Sequence, residues 1–295
     1  FPLAGGATGM IGDPSGKSEE RNLLTRDELR HNVERIKGQL ERILDFEPGP
    51  YQARLVDNAD WTAGTSMLDF LRDVGKHITV NQMMAKESVK NRLASEVGIS
   101  YTEFSYMLLQ ANDFRELYAN HGVELQMGGS DQWGNITAGI DLIRKTTGGV
   151  AHGLTWPLLL KSDGTKFGKT ADGAVWLDAD KTSPYQFRQF WLQVPDDAIA
   201  DDLLRFSTRP LDEVRAIVAE HEAAPHLRVA QRSLAHELTA LVHGADVATA
   251  VDEAADVLFG GDPTVASPAA LDAVGREVPA STVPVGDLGD TVEVL

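Results

Sequence analysis

Four short segments of this chain carry side chains suited to chemistry. In Gly12-Asp13-Pro14-Ser15-Gly16-Lys17-Ser18 a single carboxylate sits between glycines, and Lys17 and Arg21 follow close behind. A GxxxxGK phosphate loop needs one more residue between its glycines than Asp13-Pro14-Ser15 supply, so that motif is excluded. Two readings stay open: a plain turn, or a ligand loop at a sheet edge where Asp13 is the charge and Lys17 and Arg21 reach a polyphosphate. In the second segment Tyr106, Gln110 and Asp113 recur at i, i+4 and i+7 and share one helical face. Such a stripe is either a solvated face or one wall of a polar pocket for a small zwitterion. The third, Gln126-Met127-Gly128-Gly129-Ser130-Asp131-Gln132-Trp133-Gly134-Asn135, runs from an apolar strand through two glycines into a helix start. The glycines let a ligand approach the backbone, the helix N-terminus favours negative charge, and Asp131 suits the paired hydroxyls of a ribose. Its alternative is an ordinary βα turn. The fourth, Lys166-Phe167-Gly168-Lys169-Thr170, is either a solvated loop or a pair of cations able to neutralise a departing pyrophosphate.

Other chemistries are excluded. The chain has no Cys, hence no disulfide framework, thiolate nucleophile or thiolate zinc site. Its eight His show neither HExxH nor a pair flanked by carboxylates, so no structural metal is predicted. No GxSxG elbow supports a hydrolase. No stretch of roughly 18 apolar residues and no opening signal segment is found, which predicts a cytoplasmic protein with no membrane partner. The 27 basic and 44 acidic residues give a net charge of −17, at first sight a poor match to nucleic acid. The charge is unevenly placed. Residues 241–295 hold one basic and ten acidic residues, net −9, while residues 1–240 hold 26 and 34, net −8. Local basic faces are therefore compatible with the first 240 residues.

The elements that must position these segments follow from periodicity. Thr25-Arg26-Asp27-Glu28 fits a capping box, and Leu29, Val33, Ile36, Leu40 and Ile43 continue it as an amphipathic helix. Gln52–Val56 and Val123–Met127 look like strands, as does the run near 154–160. Helical patterns occupy 65–74, 80–93, 103–118 and 135–145. Strands alternating with helices predict an α/β domain with a Rossmann-like, mainly parallel sheet. Beyond Ser183-Pro184, a good helix start, helical patterns fill 184–193, 196–206, 211–223, 226–243 and 246–258, an all-helical domain. The expected division is 1–182, with an insertion around 65–115, then 183–262, then a linker over 263–295.

In order and spacing, the strings GGATGMIGDPSGKSEER (5–21), FLRDVGKH (70–77), FSYMLLQANDF (104–114), QMGGSDQWGNI (126–136) and KFGKT (166–170) closely resemble the bacterial tyrosyl-tRNA synthetases of class I. The resemblance runs to about residue 260. It implies activation of L-tyrosine by ATP to tyrosyl-adenylate, with Mg2+ on the phosphates, and transfer to tRNA(Tyr). By resemblance, Asp13, Tyr106 and Gln110 hold the substrate ammonium, Asp113 accepts from the phenol, and Gln132 lies near the carboxylate and α-phosphate. Gly129 and Asp131 contact the ribose. Lys166, Lys169 and Thr170 bind the pyrophosphate in the transition state, Lys17 and Arg21 assist, and Asn58 lies on the nucleotide side.

The chain departs from the family pattern. The strand with the His-Ile-Gly-His signature and a substrate-binding Tyr are expected before residue 1, and an S4-like RNA-binding module after Leu295. The 295 residues alone are expected to make little adenylate. A homodimer is implied, with Met67, Leu68, Phe70, Leu71, Met83 and Met84 as candidate contacts; intramolecular core is the alternative. The helical domain would meet the anticodon stem through some of Arg188, Arg205, Arg209, Arg215, Arg228 and Arg232. Rival readings are a tryptophanyl-tRNA synthetase and a non-catalytic, synthetase-derived RNA-binding protein.

Overall fold

The computed structural model describes residues 1–13, 24–94, 98–159 and 175–279 of the chain. These fall into two compact units, Phe1–Phe167 and Gly168–Leu295. Among the described residues no helix is long and apolar enough to cross a membrane.

The first unit is α/β. β1 (Leu3–Ala4) pairs in parallel with β2 (Val56–Asp57), Leu3 opposite Val56. Between them runs α1 (Arg26–Leu40), whose Thr25 cap accepts from the Glu28 amide while Glu28 Oε2 accepts from the Thr25 amide at 2.8 Å. The strand expected over Gln52–Val56 is shorter and later. Ala53 donates its amide to the Asp45 carbonyl and Gln52 its side chain to the Phe46 carbonyl, so the preceding loop takes those groups before a ladder can. After α2 (Ala59–Thr62) and α3 (Met67–Asp73), the helix expected over 80–93 is two, α4 (Val80–Met84) and α5 (Glu87–Leu93). Lys86 between them is extended, φ −65° and ψ 135°.

The long α6 (Tyr101–His121) packs on α7 (Trp133–Thr147), which follows β3 (Leu125–Gly129). β3 pairs in parallel with β4 (His152–Trp156), Gly129 opposite Trp156. Phe114 and Ile143, both fully buried, join these helices, and Val74, Ile78 and Met83 pack on Met107, Leu108 and Leu142. A buried, bidentate ion pair closes the α5–α6 corner: Arg92 donates to Glu103 at 2.7 and 2.8 Å and to the Gly98 carbonyl at 3.0 Å. The apolar residues proposed for an interface divide. Met67, Leu68, Leu71 and Met84 are exposed, Leu68 by 79%, while Met83 is buried and Phe70 packs on the core.

The second unit is helical: α8 (Pro184–Leu192), α9 (Ile199–Phe206), α10 (Leu211–Ala223), α11 (Val229–His243), α12 (Ala245–Leu258) and α13 (Pro268–Glu277). Its core joins Phe187, Trp191, Leu203, Leu234 and Leu238. Where the sequence pattern suggested a linker from 263, α13 is instead a capped helix. Ser267 accepts from the Ala270 amide, Pro268 holds the first position, and Ala270 is fully buried. Glu277 closes the unit by accepting from Ser183 and, at 3.3 Å, from Gln186.

Candidate active site

Three chain segments meet beside the end of β2. Asn58, fully buried, accepts the Ala7 amide at 2.8 Å on Oδ1. Its Nδ2 donates to Thr8 Oγ1 at 2.8 Å and to Asp113 Oδ2 at 3.0 Å. Trp61 Nε1 donates to the other oxygen, Asp113 Oδ1, at 2.8 Å. Asp113 thus has one donor on each oxygen and retains a free lone pair for a further one. Only 3% exposed, it is pushed up to about 6 by burial, against the pull of its two hydrogen bonds. Asn58 is thus held in this knot by both ends of its side-chain amide. Tyr106 and Gln110 precede Asp113 on α6 and are half-buried.

A second group forms around the start of α7. β3 ends at Gly129, and Ser130–Gln132 make one tight turn before Trp133. A Cβ at Gly129 would stand 2.9 Å from the Asp131 carboxylate and 3.0 Å from Leu158, so a larger residue there would have to push both side-chain tips aside. Gln132 Nε2 donates to Asp13 Oδ2 at 2.7 Å across 119 residues. Asn135, fully buried, donates Nδ2 to Gln132 Oε1 at 3.0 Å and accepts from Lys86 Nζ. Burial lowers the Lys86 ammonium to about 8, with Asp13 opposing. The structure thus joins Asp13 to Gln132 and sets Asp113 on the face of α6 that carries Tyr106 and Gln110. Lys17, Arg21, Lys166, Lys169 and Thr170 lie outside the described residues. Trp61 and Lys86 escaped the sequence reading: neither stands in a motif, and each acts through a contact remote in sequence.

The GGSDQWGN turn is thus joined to Asp13, and α6 carries the buried Asp113. Residues 1–260 match the family of class I tRNA synthetases (W and Y). The chain belongs to that family. The tyrosine–tRNA ligase of Roseiflexus castenholzii is 52% identical over 99% of this chain and 69% of its own length. That of Bacteroides thetaiotaomicron is 56% identical over 88% of this chain and 61% of its own. The chain thus spans between 61% and 69% of the length of these curated relatives. A C-terminally truncated mitochondrial tyrosyl-tRNA synthetase of Aspergillus nidulans has a similar structure, with TM-score 0.74, 33% identity, 87% of this chain and 76% of that one.

In this synthetase chain the arginines of the helical unit are mostly committed. Arg188 donates to Asp252, Arg205 pairs with Asp201 and Asp202, Arg209 with Glu237, and Arg215 with Asp212. Arg228 donates to the Leu192 and Val194 carbonyls at 2.7 and 3.0 Å. Arg232 is exposed and unpaired among the described residues. It lines a groove of about 620 Å³ together with Arg209, His226, Ser233 and His236.

Proposed function

We propose that the protein is a tyrosine–tRNA ligase. One oxygen of the tyrosine carboxylate attacks the α-phosphorus of ATP, the bond to the β-phosphate oxygen breaks, and pyrophosphate leaves with the electron pair. The tyrosyl group of the adenylate then passes to the terminal ribose of tRNA(Tyr), releasing AMP. No covalent enzyme intermediate is involved, so rate comes from position and charge.

The observation that carries this reading is Asp113, a buried carboxylate held rigid by Asn58 and Trp61 with a lone pair to spare. A phenolic hydroxyl is the donor it lacks. Phenylalanine would leave it short of that partner, and leaving a buried polar group unmet costs about 1–3 kcal/mol or more. Asp13, Tyr106 and Gln110 hold the ammonium; Gln132 faces the carboxylate and α-phosphate; Gly129 and Asp131 receive the ribose. Lys166, Lys169 and Thr170 stabilise the leaving pyrophosphate, with Lys17 and Arg21 assisting. Mg2+ arrives with the ATP phosphates as part of the substrate. The chain is organised as a catalytic domain over 1–182, with its insertion around 65–115, and a helical anticodon-binding domain from 183. A cytoplasmic homodimer is the working state, joined through the exposed Met67, Leu68, Leu71 and Met84.

The test is ATP–pyrophosphate exchange by the full-length protein with single amino acids. Exchange that depends on tyrosine supports the reading. Exchange driven by tryptophan, or none with any amino acid, overturns it.

A further inference from the structure

We propose that Lys86 is a positioning residue for the amino-acid site, acting through Asn135 and Gln132 on Asp13. This rests on the tyrosine-activation reading above and adds a residue to it.

The argument is one of hydrogen-bond polarity. An amide side chain has a donor end and an acceptor end, and only its neighbours decide which way it points. An ammonium can only donate. Lys86 Nζ therefore holds the Oδ1 end of Asn135, which turns Asn135 Nδ2 toward Gln132. Gln132 must then present Oε1 to Asn135, leaving Nε2 to donate to Asp13 Oδ2 at 2.7 Å. One cation thus orients two amides in series and anchors the carboxylate at the end. Without it both amides can turn over, and Gln132 would aim an oxygen at the Asp13 carboxylate.

The backbone is arranged for this. Lys86 is extended between α4 and α5, which breaks a helix that apolar periodicity would continue. Its stem crosses the first turn of α7 at Gly134, where a Cβ would stand 2.7 Å from Lys86 Cε. Asn135 is fully buried, so its two amide ends have no water to exchange with. Burial disfavours the charged lysine and the Asp13 carboxylate favours it, the balance expected of a cation kept for its orienting effect.

The experiment is steady-state ATP–pyrophosphate exchange and single-turnover transfer to tRNA with the full-length enzyme, comparing wild type, Lys86→Met, Lys86→Arg and Asn135→Asp. Lys86→Met is expected to raise the tyrosine KM about tenfold, the scale of a weakened hydrogen bond to a charge. ATP KM and transfer from preformed adenylate stay unchanged, and Lys86→Arg restores most of the loss. Asn135→Asp keeps a partner for Lys86 yet removes the donor to Gln132, so it should match Lys86→Met. In a Gln132→Ala background, Lys86→Met should have no further effect. An active wild type with an unchanged tyrosine KM in Lys86→Met, a defect confined to tRNA transfer, or additive losses with Gln132→Ala overturns the assignment alone. A wild type without tyrosine-dependent exchange removes the functional reading and this assignment together.

Discussion

Asn58 donates its side-chain amide to Asp113 Oδ2 at 3.0 Å across 55 residues, and so ties the end of β2 to the middle of α6. The same side chain accepts the Ala7 amide, so one asparagine connects three segments that carry parts of the site. Asn58→Ala is expected to cost about 2–3 kcal/mol, because it strands a buried amide and removes a donor from a buried carboxylate. Chemical denaturation reads the stability loss, and a parallel rise in tyrosine KM reads the effect on Asp113. A stable variant with normal KM would contradict the role given to this knot.

Asp113 predicts a pH dependence. Burial raises its pKa to about 6, from an ordinary value of 3.8. Its contribution to stability is therefore fully present below about 3.8 and is lost as pH rises through about 6. The stabilising proton is the one that blocks function, since a protonated carboxyl gives up acceptor capacity toward a phenol. Tyrosine kcat/KM should fall below about pH 6, with the free-enzyme profile reporting this group. Asp113→Asn should flatten that limb at a low level. An undiminished kcat/KM at pH 5 would remove Asp113 from the phenol site.

Lys169 serves a charge that develops late, on the departing pyrophosphate. Lys169→Ala should depress the rate of adenylate formation by about a hundredfold or more with tyrosine affinity nearly unchanged. Pre-steady-state measurement of the activation step checks this. Weakened tyrosine binding at an unchanged rate would contradict it.

The Arg92–Glu103 pair is buried on both sides and far more consequential than the exposed pairs on α1 and α3. Removing one partner leaves an uncompensated charge, so Glu103→Gln should cost about 3–5 kcal/mol. Asp27→Asn, which breaks the exposed pair with Arg30, should cost under about 1 kcal/mol. Thermal unfolding of the two variants compares them directly.

Arg232 separates from Arg188, Arg205, Arg209, Arg215 and Arg228 because, among the described residues, neither a carboxylate nor a carbonyl occupies it. Arg232→Ala should raise the KM for tRNA and reduce the salt slope of tRNA binding by about one, with exchange unaffected. Arg188→Ala, by contrast, should act through stability, since Arg188 is buried against Asp252. Equal effects of the two on tRNA affinity at matched stability would show that ion pairing does not sort them.

The sequence alone determined what depends on local pattern and short motifs. The capping box at Thr25–Glu28, the Ser183-Pro184 helix start and the parallel α/β character follow from periodicity and turn chemistry, which act over a few residues. The motif strings named the chemistry, because residue types at fixed short spacing survive without coordinates. Tertiary structure decided what depends on contacts between remote residues. Asn58 joined Ala7 to Asp113, Lys86 broke a helix to reach Asn135, and Met83 went to the core while Met84 stayed exposed. It also made residues 268–277 a helix, with Ala270 fully buried. The physical reason is common to these cases. A buried hydrogen bond or a packed methyl is worth most where water is excluded, and only the assembled fold determines where that is.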